Sequence, residues 1–329
     1  MRNAIIGTAR RQAMPIITQP GITLLGSTVR DAVTNGDVHF QASVLLAKQF
    51  SSLAATMMMD LSVEAEAFGS PIRLSDDEVP TVFRRIVDSM ETVESLRIPT
   101  LADGRLHSYV NVAGRIARSI TDRPTLAGCI GPISLAGRLF DVAELMSAMY
   151  MEPETIHALL EKCTALLSTY VQAFKSAGAN GVLIAEPVAG TLSPDLCEEF
   201  SSAYVRRIVH AVQDDSFAVI LHNCGDTMPL LVSMQGTGTW GIHLGNKCDL
   251  PAALDSIDSQ KIVFGNLDPV GVFRQGTPES VRTATMHLLE ATAAHKNYVI
   301  SSGCDIPFGT PIANVAAFFD AVEHCAYPG

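Results

Sequence analysis

Four side chains in the second half of this sequence could serve one chemistry. His222 and Cys224 stand two positions apart in "ILHNCGD" (220–226), at the end of an apolar run. Alternate positions of a strand point to one face, so an imidazole and a thiol at i and i+2 can aim at a single point. Cys304 ends another apolar run, in "ISSGCDIPFGTP" (300–311), and Glu186 ends a third, in "LIAEPV" (183–188). Imidazole, thiolate and carboxylate are ligands that zinc accepts, and three protein ligands with one position left open is the catalytic arrangement. A lone His-x-Cys pair is weak support, because a buried cysteine commonly packs as a small hydrophobe. Cys304 at a glycine-flanked strand end strengthens the metal reading. Cys129, Cys163, Cys197 and Cys325 read as core or helix-face residues, Cys248 as a loop residue, and Met57, Met58 and Met59 as core. His243 ends a strand and is a candidate pocket residue. His39, His107, His157, His210, His287, His295 and His324 fall in helical or polar stretches and are expected to be solvated.

For these residues to meet, the strands that carry them must end side by side. Short apolar runs occupy 181–188, 217–224, 239–245, 261–268 and 298–305, and helical patterns lie between them at 195–212, 229–234, 251–257 and 278–294, with another closing the chain at 311–324. Proline near several helix starts suits the first turn. Buried strands alternating with helices imply a parallel sheet covered by helices. In the first half, 13–19, 54–60 and 125–132 read as strands, and 38–51, 135–149 and 153–177 as helices; residues 74–108 form a more polar excursion, read as an insertion carrying helices. Eight strands with interleaved helices predict an α/β fold, a TIM-type (β/α)8 barrel with N-terminal and inserted helices. An open doubly wound sheet is the alternative. Active sites of such barrels lie at the C-terminal strand ends, where residues distant in sequence share one mouth.

Composition removes several classes of function. The chain has 329 residues, 47% of them hydrophobic, enough for a large core. Its net charge of -11 argues against nucleic-acid binding, which needs a basic surface. No apolar run approaches the roughly 18 residues of a membrane span. The basic N-terminus "MRNAIIGTARRQAMPIITQ" lacks a continuous apolar stretch and a small-residue cleavage site, so no signal peptide is expected. Seven irregularly spaced cysteines do not form a disulfide framework, and a reducing cytoplasm is the simplest reading. No G-x-G-x-x-G or Walker-type fingerprint is present.

Six segments in order carry a resemblance: "EAEAFGSPI" (64–72), "GPISLAGRL" (131–139), "IAEPVAGTLSPDLCEEF" (184–200), "LHNCGD" (221–226), "FGNLDPV" (264–270) and "GCDIPFGTPIANVAAF" (303–318). Together they resemble the uroporphyrinogen decarboxylase superfamily, and within it they look most like the methylcobamide:coenzyme M methyltransferases. The resemblance runs from about residue 13 to the end and implies one (β/α)8 barrel domain over 1–329. Decarboxylases of the superfamily carry an arginine-rich N-terminal segment and a Gly-His pair near the last strand. This chain has no arginine between Pro15 and Val29, and it has Gly303-Cys304 instead. The methyltransferases bind zinc through H-x-C and a distant Cys, which implies His222, Cys224 and Cys304 as ligands here. Glu186 matches an acidic position near the metal and is the candidate fourth ligand or close neighbour. The N-terminal helix usual in the family is short here, and "IHLGNK" replaces its usual Ser-Val/Ile-Asp/Glu stretch, which leaves the methyl acceptor open.

The implied reaction moves a methyl group from a methyl-corrinoid to a thiol such as coenzyme M. A thiol of ordinary pKa, about 8.5, is only about 3% thiolate at pH 7. Metal coordination deprotonates a thiol, which recovers roughly 30-fold in rate, or about 2 kcal/mol. The sequence has no corrinoid-binding D-x-H-x-x-G, so the corrinoid is expected on a small partner protein. A tetrapyrrole decarboxylase and a non-catalytic ligand-binding paralogue are the alternatives.

Overall fold

The structure, a computed structural model, describes residues 5–8 and 10–325. The first four residues of the basic N-terminal stretch, and Ala9 within it, lie outside the described residues. Strand β1 (Ala55–Thr56) is followed by a small antiparallel hairpin, β2 (Ile72–Arg73) and β3 (Thr81–Val82). The main sheet continues with β4 (Thr125–Ile130), β5 (Gly181–Ala185), β6 (Ala218–Asn223), β7 (Gly241–Leu244), β8 (Ile262–Leu267) and β9 (Tyr298–Ser302). Its order is β1-β4-β5-β6-β7-β8-β9, every pair parallel.

The eighth position of the barrel is filled by residues 12–18 without a regular ladder. On one side Met14 N donates to Ile300 O (2.9 Å) and Ile300 N to Gln12 O (3.1 Å); on the other, Leu53 N donates to Ala13 O (2.7 Å). The expected strand at 13–19 is thus one bridge long. Pro15 has no N–H to give, Ile16 N donates to Ser302 Oγ (3.0 Å), and Thr18 N donates to the Asp305 carboxylate (3.2 Å). The expected strand at 54–60 keeps two ladder residues for a similar reason. Met58 N donates to His39 Nε2 (3.0 Å). His39 is therefore not solvated as its helical setting suggested: it is buried, with its ring 5.1 Å from that of Tyr109 in an edge contact. His107, His210, His287 and His324 are exposed as expected; His157 and His295 are half-buried.

Most helices match their patterns, among them Gly36–Gln49, Pro153–Ala177 and Ile312–His324. The stretch expected as one helix at 135–149 is two, Pro132–Phe140 and Val142–Met151. The break is Asp141, at φ 81°, whose side chain caps Ala143 N (2.9 Å). The polar excursion ends in a helix the sequence reading missed, Leu106–Ser119, which buries Leu106, Tyr109, Val112, Ala113 and Ile116.

Along most of their length the strands alternate between two apolar layers. Val182, Ile184, Val219, Leu221, Ile242, Val263 and Ile300 pack outward against the helices. Leu126, Leu183, Ile220, Ile262, Phe264 and Val299 fill the barrel interior with Met14 and Ile16. That parity decides which side chains can reach the mouth. Among the described residues no helix is long and apolar enough to cross a membrane.

Candidate metal centre

His222 follows Ile220 on the interior face of β6, and Cys224 lies one step past the strand end. Cys304 lies two residues past β9. The donor atoms of His222, Cys224 and Cys304 all lie within 4.8 Å of one another. Gly245 permits this approach at the end of β7, because a Cβ there would stand 2.5 Å from Cys224 Cα. Cys129, Cys163 and Cys197 are buried in the helix-facing core as expected, and Cys248 is buried in its loop.

The electrostatics of the group suit a cation. Contact with the Cys304 thiol, and then the nearness of His222, push the Cys224 pKa down, and the same contact with Cys224, together with burial, pushes Cys304 well up. That contact favours the thiolate form at Cys224 and the thiol form at Cys304. His222 is buried, and its Nε2 has no hydrogen-bond partner. A buried nitrogen left bare costs free energy unless something fills its place. One imidazole and two thiolates form a set that zinc favours over harder cations. The residues present fit such an ion.

Behind the donors runs a hydrogen-bond chain through His243, which the sequence offered as a candidate pocket residue, and Ser301, which it did not. His222 Nδ1 lies 2.9 Å from His243 Nδ1, its direct partner in the β6–β7 register. His243 Nε2 lies 2.9 Å from Ser301 Oγ, and Ser301 Oγ donates to Met14 O at 2.7 Å. His243 is fully buried, and burial holds it well below the usual histidine range, so it is neutral. The signal was present as parity: His243 shares the interior face of its strand.

Glu186 is not brought into the donor group. It has the parity of Val182 and Ile184, which face the helices, so its side chain leaves the barrel wall outward. Its carboxylate takes the first N–H groups of the helix Pro132–Phe140: Ile133 N to Oε1 (3.1 Å) and Ser134 N to Oε2 (3.0 Å), with Ser134 Oγ to Oε2 (2.6 Å). Gly131 is required there, since a Cβ would lie 2.3 Å from Glu186 Cδ. Burial raises the Glu186 carboxyl to about 7, against the pull of these hydrogen bonds. The expectation was a fourth ligand or close neighbour; in this arrangement Glu186 stands outside the donor group, as a buried helix cap beside the site.

A parallel (β/α)8 barrel with a His/Cys/Cys group at its mouth defines a class of barrel proteins equipped to hold a thiophilic cation. Within that class, the chain belongs to the uroporphyrinogen decarboxylase family, whose profile, described as uroporphyrinogen decarboxylase (URO-D), matches residues 8–325. Among curated proteins it is 29% identical over 278 residues to methylcobamide:CoM methyltransferase MtbA of Methanosarcina acetivorans, covering 83% of this chain and 80% of the relative. It is also 28% identical over 287 residues to uroporphyrinogen decarboxylase of Pseudomonas syringae pv. syringae, covering 82% and 78%. Among solved structures, a methyltransferase from Methanosarcina mazei superposes with a TM-score of 0.88 at 22% identity, covering 98% of this chain and 96% of the other. That likeness establishes the fold.

Proposed function

We propose that this protein is a methyltransferase that transfers a methyl group from a corrinoid on a partner protein to a small thiol, with zinc held by His222, Cys224 and Cys304. The observation that carries the reading is the convergence of those three donor groups within 4.8 Å, with the buried Nε2 of His222 left bare. When bound, zinc would supply one remaining position at which a substrate thiol loses its proton. The chain's own residues do the rest. Cys224 and Cys304 would hold the ion as two thiolates and so would favour retention of electron density on an acceptor sulfur. The apolar floor of Ile220, Phe264 and Val299 excludes water from below. The corrinoid protein and the thiol enter from the open mouth, and a reducing cytoplasm suits the thiol chemistry.

The decarboxylase alternative is disfavoured by the first barrel segment. A porphyrinogen polycarboxylate needs several cations in its pocket. Here that segment turns Met14 and Ile16 inward, and Thr18 and Gln19 hydrogen-bond Asp305. The test of the reading is methyl transfer from methylcobalamin to candidate thiols, coenzyme M first and then homocysteine. The zinc-loaded protein should catalyse it, releasing about one proton per site on thiol addition near neutral pH. X-ray absorption should show one added zinc–sulfur contact at about 2.3 Å. Equal activity in zinc-stripped protein would overturn the mechanism, and turnover of uroporphyrinogen above background would overturn the choice of reaction.

A further inference from the structure

We infer that His243 and Ser301 are positioning residues that fix the tautomer of His222, through a one-way hydrogen-bond chain anchored on the carbonyl of Met14. The inference rests on the metal site proposed above and assigns which nitrogen of His222 faces the ion. The direction of the chain follows from its last member. A backbone carbonyl can only accept. Ser301 Oγ gives its one hydrogen to Met14 O at 2.7 Å, so toward His243 it presents a lone pair. His243 Nε2, 2.9 Å away, must then carry the hydrogen. A neutral imidazole has one N–H, so His243 Nδ1 is an acceptor. His222 Nδ1, 2.9 Å from it, must be the donor. His222 Nε2 is left with a lone pair, and it is this atom that is buried without a partner on the side of Cys224 and Cys304.

Two rings meeting Nδ1 to Nδ1 could exchange a hydrogen in either sense if nothing biased them. Ser301 and Met14 supply the bias. All the side chains involved stand on interior positions of β6, β7 and β9, and the ring planes of His222 and His243 lie at 81° with centroids 4.7 Å apart, so orientation is held as well as tautomer. His243 is in turn packed parallel to the Phe264 ring (11°, 6.3 Å). Partners of this kind behind a ligating histidine typically change metal affinity by about 10- to 100-fold when removed.

The test uses the full chain. In zinc-free protein at pH 8 with ¹⁵N-labelled histidine, long-range ¹H–¹⁵N spectra should show His222 as the Nδ1–H form and His243 as the Nε2–H form, the signals being assigned by loss in His222→Gln and His243→Asn. The opposite tautomers would overturn the inference. Zinc affinity is then measured by chelator competition. His243→Leu, which removes the acceptor, should weaken zinc binding by about 10- to 100-fold. Ser301→Ala should weaken it less. His243→Asn, whose amide can accept from His222 and donate to Ser301, should recover most of the affinity. A folded His243→Leu or Ser301→Ala protein that binds zinc like wild type would also overturn it. If His243→Leu does not fold, the wild-type tautomers and Ser301→Ala still decide. Tight wild-type zinc binding with unaffected variants would refute the chain and leave the proposed function standing. Absence of zinc binding by wild type would refute the proposed function, while the tautomers would still judge the chain.

Discussion

His222, Cys224 and Cys304 are separated by up to 82 positions, yet their donor atoms lie within 4.8 Å. None of them is a core-packing residue, so removing one thiol should cost metal and not the fold. Cys304→Ala is expected to lower zinc from about one per chain to a small fraction, with the far-ultraviolet circular dichroism unchanged; full zinc occupancy would remove Cys304 from the site. Glu186→Gln tests the corrected role of that residue. As a helix cap outside the donor group, it should leave zinc content unchanged and lower stability by about 1 kcal/mol, read from urea unfolding. Loss of zinc in that variant would restore Glu186 to the coordination sphere. Gly245→Ala should weaken zinc binding, because the new Cβ meets Cys224 backbone at 2.5 Å and neither strand end can yield freely.

The elements around the mouth are joined by one buried guanidinium. Arg105 precedes the helix Leu106–Ser119 and donates to Asp60 Oδ2 (2.5 Å), Glu66 Oε2 (2.6 Å), Ser62 Oγ (3.1 Å) and Val33 O (3.2 Å). It ties the turn after β1, the helix Val63–Ala67 and the N-terminal helix Val29–Thr34 to the inserted segment. The Asp60 side chain is fully buried and that of Arg105 nearly so. Removing the cation would strand an acid away from water, so Arg105→Ala should destabilise the protein by about 3–5 kcal/mol. Arg105→Lys should recover little, since an ammonium cannot reproduce the planar fork. Urea midpoints of the three proteins check both statements.

Buried ionisable groups outside the donor group shape how stability responds to pH. Glu64 is buried behind β4 and accepts from Ile130 N (3.1 Å), while its second oxygen has no partner. Burial raises its carboxyl from 4.5 to about 8, with Asp60 nearby adding to the rise and Arg105 opposing it. Between those two values the native protein holds a proton that the unfolded chain has lost. This contribution is therefore fully present below about pH 4.5 and is lost as pH rises toward 8. His39 acts in the opposite sense: burial lowers it from 6.5 to about 3, so its contribution is present above 6.5 and lost as pH falls. Between about pH 6.5 and 8 other groups titrate as well, Glu186 among them, so the Glu64 effect is read as a difference: over that window the wild type should lose on the order of 1–2 kcal/mol of unfolding free energy relative to Glu64→Gln, as measured by urea titrations of both proteins at both pH values.

The alternation of apolar strands with helices determined a parallel sheet covered by helices, because a strand covered on both faces must read as a continuous apolar run and its crossover must be helical; closure into a barrel, against an open doubly wound sheet, was decided by the tertiary structure. The His-x-Cys spacing likewise determined that two donors share a face, since side-chain period in a strand is 2. The limits have equally local causes. Residues 13–19 read as a strand by composition, but Pro15 and two side-chain acceptors take their N–H groups out of the ladder. Glu186 read as a ligand because it ends a strand, but whether β5 turns that position inward depends on its register against the helices. His243 read as a candidate pocket residue because it ends a strand, but its pairing with His222 came only when β6 and β7 aligned the two. Which strands lie adjacent, in which register, and which face closes inward are properties of the closed sheet, and no local pattern of residue types contains them.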